Sequence, residues 1–316
     1  MKNYLHISDL DNLQETVSAA QALKKNPRKN HLLGTGKTLC LLFFNNSLRT
    51  RLSTQKAAQN LGMNVLVMNV GSEGWQLEFE EGTIMNQQCS EHVKEAAQVI
   101  SQYCDIVAVR AFASLTDREK DRAETVLNSF KQYASVPVIS LESAMGHPLQ
   151  ALADAITLSE HIPPHRPKVV LSWAPHPKAL PQAVANSFVE MMQCQAADFV
   201  ITHPEGYELD PAVTKGVPIE YDQEKAFEKA DFIYVKNWSS YRHYGQVLSK
   251  DPQWMITAKK MALTRQAKFM HCLPVRRNVV VTDAVIDSPQ SLVIEQANNR
   301  TYAAQVVLQK ILAHHG

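Results

Sequence analysis

Thr38-Leu39-Cys40-Leu41-Leu42-Phe43-Phe44 runs directly into Asn45-Asn46-Ser47-Leu48-Arg49-Thr50-Arg51. The first stretch is apolar almost throughout, as in a strand covered on both faces. The second is a polar turn that opens a helical segment, in which Leu52, Thr54, Ala57, Ala58 and Leu61 can pack together. Working outward, similar short runs recur at Asn64 to Val70, Asp105 to Val109 and Val136 to Leu141. They return in the second half at Lys168 to Trp173, Asp198 to Thr202, Asp231 to Val235, Lys268 to Met270 and Leu292 to Ile294. Longer helical patterns separate them, so an α/β protein with two open parallel-sheet domains is expected. The length of 316 residues fits, since domains usually hold about 100 to 200 residues.

A helix is predicted to begin at Pro148, with Leu149, Leu152, Ala153 and Ile156 on one apolar face, and to cross from the first domain to the second. The most linker-like stretch is His161-Ile162-Pro163-Pro164-His165-Arg166-Pro167, whose clustered prolines stop that helix. A last amphipathic helix is read from Thr301 to His314, through Ala304, Val307, Leu308 and Ile311.

With 32 Lys+Arg against 31 Asp+Glu the net charge is +1, which argues against a bulk positive field for nucleic acid or anionic membrane. No apolar run is long enough to span a bilayer and the first residues do not form a signal peptide, so a cytoplasmic location is expected. Cys40, Cys89, Cys104, Cys194 and Cys272 are widely spaced and suggest neither a disulfide framework nor a zinc site. The sequons Asn237-Trp238-Ser239 and Asn299-Arg300-Thr301 are read as chance.

Gly34-Thr35-Gly36-Lys37-Thr38 resembles the end of a phosphate-binding P-loop, but His31 stands where its first glycine belongs, and the segment precedes a strand. The turn from Asn45 to Arg51 is a better anion site. It gathers hydroxyls, guanidinium groups and free backbone N–H groups at a helix N-terminus, where the dipole favours negative charge. Arg49 can grip phosphate oxygens bidentately while Ser47 and Thr50 donate single bonds. A serine cap followed by exposed arginines would account for the same residues. Arg110 follows its strand at the carboxyl end, the edge where open α/β sheets bind ligands. In His147-Pro148-Leu149-Gln150 the proline keeps His147 extended, so that His147 and Gln150 can face one crevice. In the second half, Trp173-Ala174-Pro175-His176-Pro177, Lys236-Asn237-Trp238 and His271-Cys272-Leu273-Pro274-Val275-Arg276-Arg277 each follow a strand. These segments put His176, Lys236 and Arg276 at the carboxyl edge of the second sheet.

Taken together, these residues resemble the aspartate and ornithine carbamoyltransferase superfamily over essentially the whole chain. Ser47-Leu48-Arg49-Thr50 is similar to its phosphate motif, His147-Pro148-Leu149-Gln150 to its His-Pro-x-Gln, and His271-Cys272-Leu273-Pro274 to the ornithine-type His-Cys-Leu-Pro. Gln296-Ala297-Asn298-Asn299-Arg300 resembles the segment that presents a final phosphate-site arginine. The Asp-x-x-x-Ser-Met-Gly segment that receives the α-ammonium group of ornithine is replaced by Lys236-Asn237-Trp238-Ser239-Ser240-Tyr241. A cation and an indole cannot take over that carboxylate's role. Trp75, Glu142, Trp173 to Pro177, Lys236 and Arg276 instead resemble the branch that carbamoylates N-acylated ornithine.

The resemblance implies a carbamoyl-phosphate-binding domain at 1–147, an acylornithine-binding domain including the crossover helix at 148–299, and a C-terminal helix at 300–316 returning to the first domain. It implies transfer of the carbamoyl group of carbamoyl phosphate to the δ-amine of an N-acylornithine, with no metal and no organic cofactor. Ser47, Leu48, Arg49, Thr50 and Arg300 would hold the phosphate, helped by Trp75 from a neighbouring subunit of a homotrimer with shared active sites. Thr50, Arg110 and His147 would polarise the carbonyl oxygen, Gln150 and the Leu273 carbonyl would hold the carbamoyl NH2, and Cys272 would steer the amine. Cys272 is not expected to act as a nucleophile, because extended neighbours such as His271 and Cys272 point to opposite faces.

Ser90 is read as the position that discriminates the acyl group. Relatives using the acetyl substrate resemble one another in having Glu there, succinyl users tend to have Pro, and serine matches neither. A carboxylate would repel a succinyl tail, whereas Ser leaves room and can donate a hydrogen bond. The expected acceptor is therefore N-succinylornithine. N-acetylornithine, ornithine itself and a non-catalytic ligand sensor remain the alternatives, in that order.

Overall fold

The computed structural model describes residues 1–315, and its chain divides into two compact units. The first comprises residues 1–114, 119–152 and those from Arg300 onward; the second comprises 115–118 and 153–299. In chain order the first half contains α1 (Leu13–Lys25), β1 (Thr38–Phe43), α2 (Arg49–Asn60), β2 (Asn64–Asn69), β3 (Leu77–Glu78), β4 (Glu91–His92) and α3 (Val93–Tyr103). It continues through β5 (Ile106–Arg110), α4 (Arg118–Arg122), α5 (Thr125–Tyr133), β6 (Val138–Glu142) and α6 (Pro148–Glu160). The second half contains β7 (Lys168–Trp173), α7 (Ala183–Gln193), β8 (Asp198–Thr202), β9 (Ile219–Glu220), α8 (Gln223–Phe227) and β10 (Phe232–Lys236). It ends with α9 (Ala258–Met261), β11 (Lys268–Met270), α10 (Asp283–Ile286) and α11 (Val293–His315). No helix among the described residues is long and apolar enough to cross a membrane.

The first unit is built on a four-stranded sheet in the order β2-β1-β5-β6, with every pair parallel. The strand order reverses direction between β1 and β5, which opens a crevice at their carboxyl ends. Cys40, Leu42, Val107, Val109 and Val138 pack with Val93 and Ala97 of α3 and with Leu127 and Phe130 of α5 in one buried cluster. A two-stranded parallel ladder of β3 and β4 stands apart from this sheet. The second unit holds a five-stranded parallel sheet, β11-β10-β7-β8-β9, with its reversal between β7 and β10.

Several expectations are corrected. Leu292 to Ile294 is not a strand: α11 begins at Val293, and only Ser291 bridges Phe269. Three apolar residues suit a helix start as well as a strand, and Leu292 and Val293 are buried in that role while Ile294 is exposed. α11 therefore starts eight residues before the expected Thr301. The proline-rich stretch 161–167 lies inside the second unit and is not the boundary, whereas α6 does cross from the first unit to the second as expected, with the division between Leu152 and Ala153. Leu52 of α2 is 58% exposed, while Thr50, Thr54, Ala57 and Ala58 form the buried side of that helix. Gly34 serves packing: a Cβ there would sit 2.3 Å from Met63 Cγ, and its N–H donates to Leu61 O at 2.8 Å.

Candidate active site

The carboxyl ends of β1, β5 and β6 carry most of the polar residues picked out in the first half. The register pairs Phe43 with Arg110 and, after a shift between Val109 and Arg110, Arg110 with Glu142. This shift puts two long side chains of opposite charge side by side at the sheet edge. Arg110 donates through Nη2 and Nε to Glu142 Oε2, at 3.1 and 3.4 Å, and through Nη1 to the carbonyls of Asn45, at 3.3 Å, and Asn46. Its guanidinium also lies 4.2 Å from the centre of the Phe112 ring. Asn45 Oδ1 accepts from Phe112 N at 2.6 Å, so the turn after β1 is tied to the end of β5 by both residues.

That turn leads into α2. Leu48, not Ser47, occupies the cap position, and no side chain caps the helix. The serine-cap reading therefore does not hold. Ser47 and Arg49 are half-buried, Leu48 is 68% exposed and Thr50 is buried.

After β6, Ser143 N donates to Gly146 O in a tight turn that delivers His147, and Pro148 opens α6 with its carbonyl accepting from Tyr4 Oη. Proline at the first helical position needs no N–H partner and fixes the turn. His147 Nε2 lies 3.5 Å from Glu142 Oε2 and 3.2 Å from Arg300 Nη2. Arg300 also donates to Thr50 Oγ1 at 2.6 Å and, through Nη1, to Gln150 Oε1 at 3.0 Å. Arginine can only donate, and its planar fork suits several oxygens at once. Thr50, Gln150, His147 and Arg300 thus form one buried network, joined through Glu142 to Arg110.

Trp75 and Ser90 come together on the small ladder. Leu77 pairs with Glu91, Ser90 N donates to Gln76 O at 3.2 Å, and Trp75 Nε1 donates to Glu91 Oε2 at 2.7 Å. Both residues are exposed.

In the second unit, β7, β10 and β11 are neighbours, so the segments after them share one sheet edge. Arg276 Nε donates to His176 Nε2 at 3.1 Å, while His176 Nδ1 lies 2.7 Å from Lys178 O. Lys178 N also donates to Nδ1, at 3.1 Å, and an imidazole that accepts at Nε2 from an arginine is neutral. Burial holds the His176 pKa below its usual value, the bond to Lys178 O opposes this, and the positive charges of Arg276, Lys236 and Lys178 lower it further. Lys236 is half-buried at the end of β10, and Arg276 is exposed. His271 and Cys272 are buried. His271 N donates to Gln296 Oε1 and its Nδ1 accepts from Leu273 N, both at 2.9 Å, so its ring turns back onto its own loop. The extended run ends there, since Leu273 has φ +56°.

Glu142, grouped by resemblance with residues of the second half, lies in the first unit beside Arg110 and His147. Three residues escaped the sequence reading: Asn45, Asn46 and Asn237. The adjacent asparagines at the end of an apolar strand were the available signal for the first two. Asn237 lies between a lysine and an indole whose chemistry dominates that motif.

Residues 2–160 match the carbamoyl-phosphate-binding domain of aspartate/ornithine carbamoyltransferases, and residues 181–311 match the Asp/Orn-binding domain. The chain belongs to the aspartate/ornithine carbamoyltransferase family. This carbamoyltransferase is 54% identical over 314 residues to the N-succinylornithine carbamoyltransferase of Bacteroides thetaiotaomicron, covering 99% of each chain. It is 35% identical over 339 residues to the N-acetylornithine carbamoyltransferase of Xanthomonas axonopodis pv. citri, covering 100% of this chain and 98% of that one. It also resembles, with a TM-score of 0.92 and 36% identity, the crystal structure of an N-acetylornithine transcarbamylase in which one glutamate is replaced by serine. That structure, complexed with carbamyl phosphate and N-succinyl-norvaline, is covered completely by 98% of this chain.

Proposed function

We propose that this carbamoyltransferase moves the carbamoyl group of carbamoyl phosphate to the δ-amine of N-succinylornithine, releasing N-succinylcitrulline and phosphate, as a step of arginine biosynthesis. One observation carries the choice of acceptor. Identity is 54% and 52% to two N-succinylornithine carbamoyltransferases over nearly the whole chain, and it falls to 35–36% for the N-acetylornithine enzymes and 29–32% for ornithine enzymes.

In this reading the start of α2 and Arg300 receive the phosphate: Ser47, Leu48, Arg49 and Thr50 offer N–H, hydroxyl and guanidinium donors. Thr50, Arg110 and His147 polarise the carbonyl oxygen and stabilise the charge that builds on it. Gln150 and the Leu273 carbonyl orient the carbamoyl NH2, and Cys272 borders the approach of the amine. The amine nitrogen attacks the carbonyl carbon, the bond from that carbon to the phosphate oxygen breaks, and the leaving phosphate takes the amine's proton. The protein's work is chiefly orientation and charge stabilisation, because the phosphate leaving group already activates the donor. Glu142 holds Arg110 and lies within reach of His147, and so orients both.

His176, Lys236 and Arg276 suit the second, distal carboxylate that succinylation adds to the acceptor. Ser90 stands beside Trp75 without the charge of a glutamate, and a relative with serine in place of one glutamate is known with N-succinyl-norvaline bound. The assembly in this reading is a homotrimer in which Trp75 reaches the neighbouring subunit's site. Trp75 is 59% exposed on its own chain, as a side chain offered to a neighbour must be. Five cysteines, none of them in a disulfide, fit a reducing cytoplasm. An assay with ornithine, N-acetylornithine and N-succinylornithine as acceptors tests the reading: the highest kcat/KM is expected for N-succinylornithine, and a preference for either other amine overturns it.

A further inference from the structure

The loops that follow β7 and β10 are laced together by side chains that do not belong to the substrate contacts assigned above. Lys236 pairs with Trp173 in the sheet, and Ala174 N donates to Lys236 O at 3.3 Å, so the ladder continues one step past β7. Beyond that step the backbones lose their regular pairing, and Asn237 replaces it. Its side chain is buried, with the residue only 3% exposed, and Nδ2 donates to the carbonyl oxygens of both Ala174 and Pro175, the latter at 3.0 Å. Pro175 immediately precedes His176. Farther along, Trp173 Nε1 donates to Trp238 O at 3.4 Å, Gln182 Nε2 to Ser239 O at 2.7 Å and Ser239 N to Leu180 O at 2.9 Å. Of these bonds, those from Asn237 lie between His176 on one strand end and Lys236 on the next.

We infer that Asn237 is a positioning residue for acyl-group selection, holding the His176 loop at a fixed span from Lys236 so that the site favours an acyl group ending in a carboxylate. This inference rests on the proposed acceptor and extends it to a residue that does not touch the substrate. Arg276 takes its place from His176 Nε2. A shift of Ala174 and Pro175 therefore moves both His176 and Arg276 away from Lys236. An acetyl group has no distal carboxylate for this cluster to meet, so the same shift costs an acetylated ligand little. Two buried carbonyl oxygens share one amide nitrogen here, and removing that donor leaves both without it. The burial of Asn237 also closes the Asn237-Trp238-Ser239 sequon to modification in the folded chain.

The test is calorimetric titration of the full chain, with saturating carbamoyl phosphate, using N-succinyl-norvaline and N-acetyl-norvaline, which lack the reacting δ-amine. Asn237→Ala is neutral and adds no charge of its own, while Asn237→Ser keeps one donor. Affinity for N-succinyl-norvaline is expected to fall about tenfold or more in the alanine variant, less in the serine variant, and by less than about threefold for N-acetyl-norvaline in either. Affinity for carbamoyl phosphate should stay that of the wild type. An unchanged succinyl preference in folded Asn237→Ala overturns the role of Asn237 alone. Equal losses for both ligands, or failure of both variants to fold, give Asn237 to general packing and overturn it as well. A wild-type protein that does not prefer N-succinyl-norvaline instead overturns the acceptor assignment.

Discussion

Arg300 Nη2 donates to Thr50 Oγ1 at 2.6 Å, joining residues 250 positions apart in the sequence. The same guanidinium holds Gln150 and lies against His147, so one side chain of α11 organises three residues assigned to carbamoyl phosphate.

Arg300→Ala should therefore lower kcat/KM by more than the loss of a single phosphate contact. Removing one preorganised donor typically costs about 2.7–4 kcal/mol in the transition state. Arg49→Ala and Arg110→Ala should fall in the same range, Arg49→Ala with unchanged stability and Arg110→Ala still folded but with a lowered melting temperature, because it strands the Glu142 carboxylate. Steady-state kinetics with circular dichroism checks this, and near-normal turnover in any folded variant contradicts its assignment.

Arg110 and Glu142 form an ion pair whose side chains are 9% and 10% exposed. Breaking a buried pair from one side strands the other charge, at a cost of about 3–5 kcal/mol. Glu142→Ala should lower the melting temperature markedly. Glu142→Gln, which can still accept from Arg110, should lower it less. Equal melting temperatures for the two variants would mean that the carboxylate does not hold Arg110.

The pH dependence has two parts. The δ-ammonium of the acceptor must lose a proton, and its pKa should lie near the lysine value of about 10.4, so kcat/KM should rise with pH above neutrality. A rate independent of pH from about 6 to 9 would mean that another step limits turnover.

His176 adds a separate acid limb. Its folded pKa lies below its usual value, so the neutral ring is favoured in the fold. The corresponding stability is present above the unfolded pKa of about 6.5 and is lost as pH falls through the folded value. Protonation of Nε2 also ejects the Arg276 bond. KM for N-succinylornithine should accordingly rise only as pH falls through that depressed folded value, on the acid side of about 6.5, and this rise should disappear in His176→Gln. An identical acid limb in the variant would assign it to another group.

Trp75→Ala and Arg49→Ala chains, each inactive alone, should regain some activity when mixed and allowed to exchange subunits. Sites assembled from two chains can draw each intact residue from a different subunit. Light scattering should report a trimer. A monomer, or no rescue after confirmed exchange, counts against shared sites.

Much of this was legible because the strands are short apolar runs with polar residues at their carboxyl ends. Arg110, His147 and Lys236 could be placed from local sequence, and Pro148 marked its helix start to the residue. Resemblance supplied Glu142 and Arg300. What remained hidden depends on distant partners. Nothing local in Asn237 announces two carbonyls more than sixty positions earlier. Leu292 to Ile294 misled because a short apolar run carries no period of its own, and the long helix into which it leads decided its state.

Because residues from Arg300 onward belong to the first unit, the order of synthesis constrains when that unit is complete. The ribosome makes β1, α2, β5 and β6 early, but the arginine that links Thr50, Gln150 and His147 emerges only after the whole second sheet has been made. Gln305, which accepts from Asn60 and donates to Pro27 O, arrives later still. A nascent chain therefore carries an unfinished amino-terminal half through most of translation, and a truncation just short of Arg300 would leave that half without the side chain that organises its polar cluster.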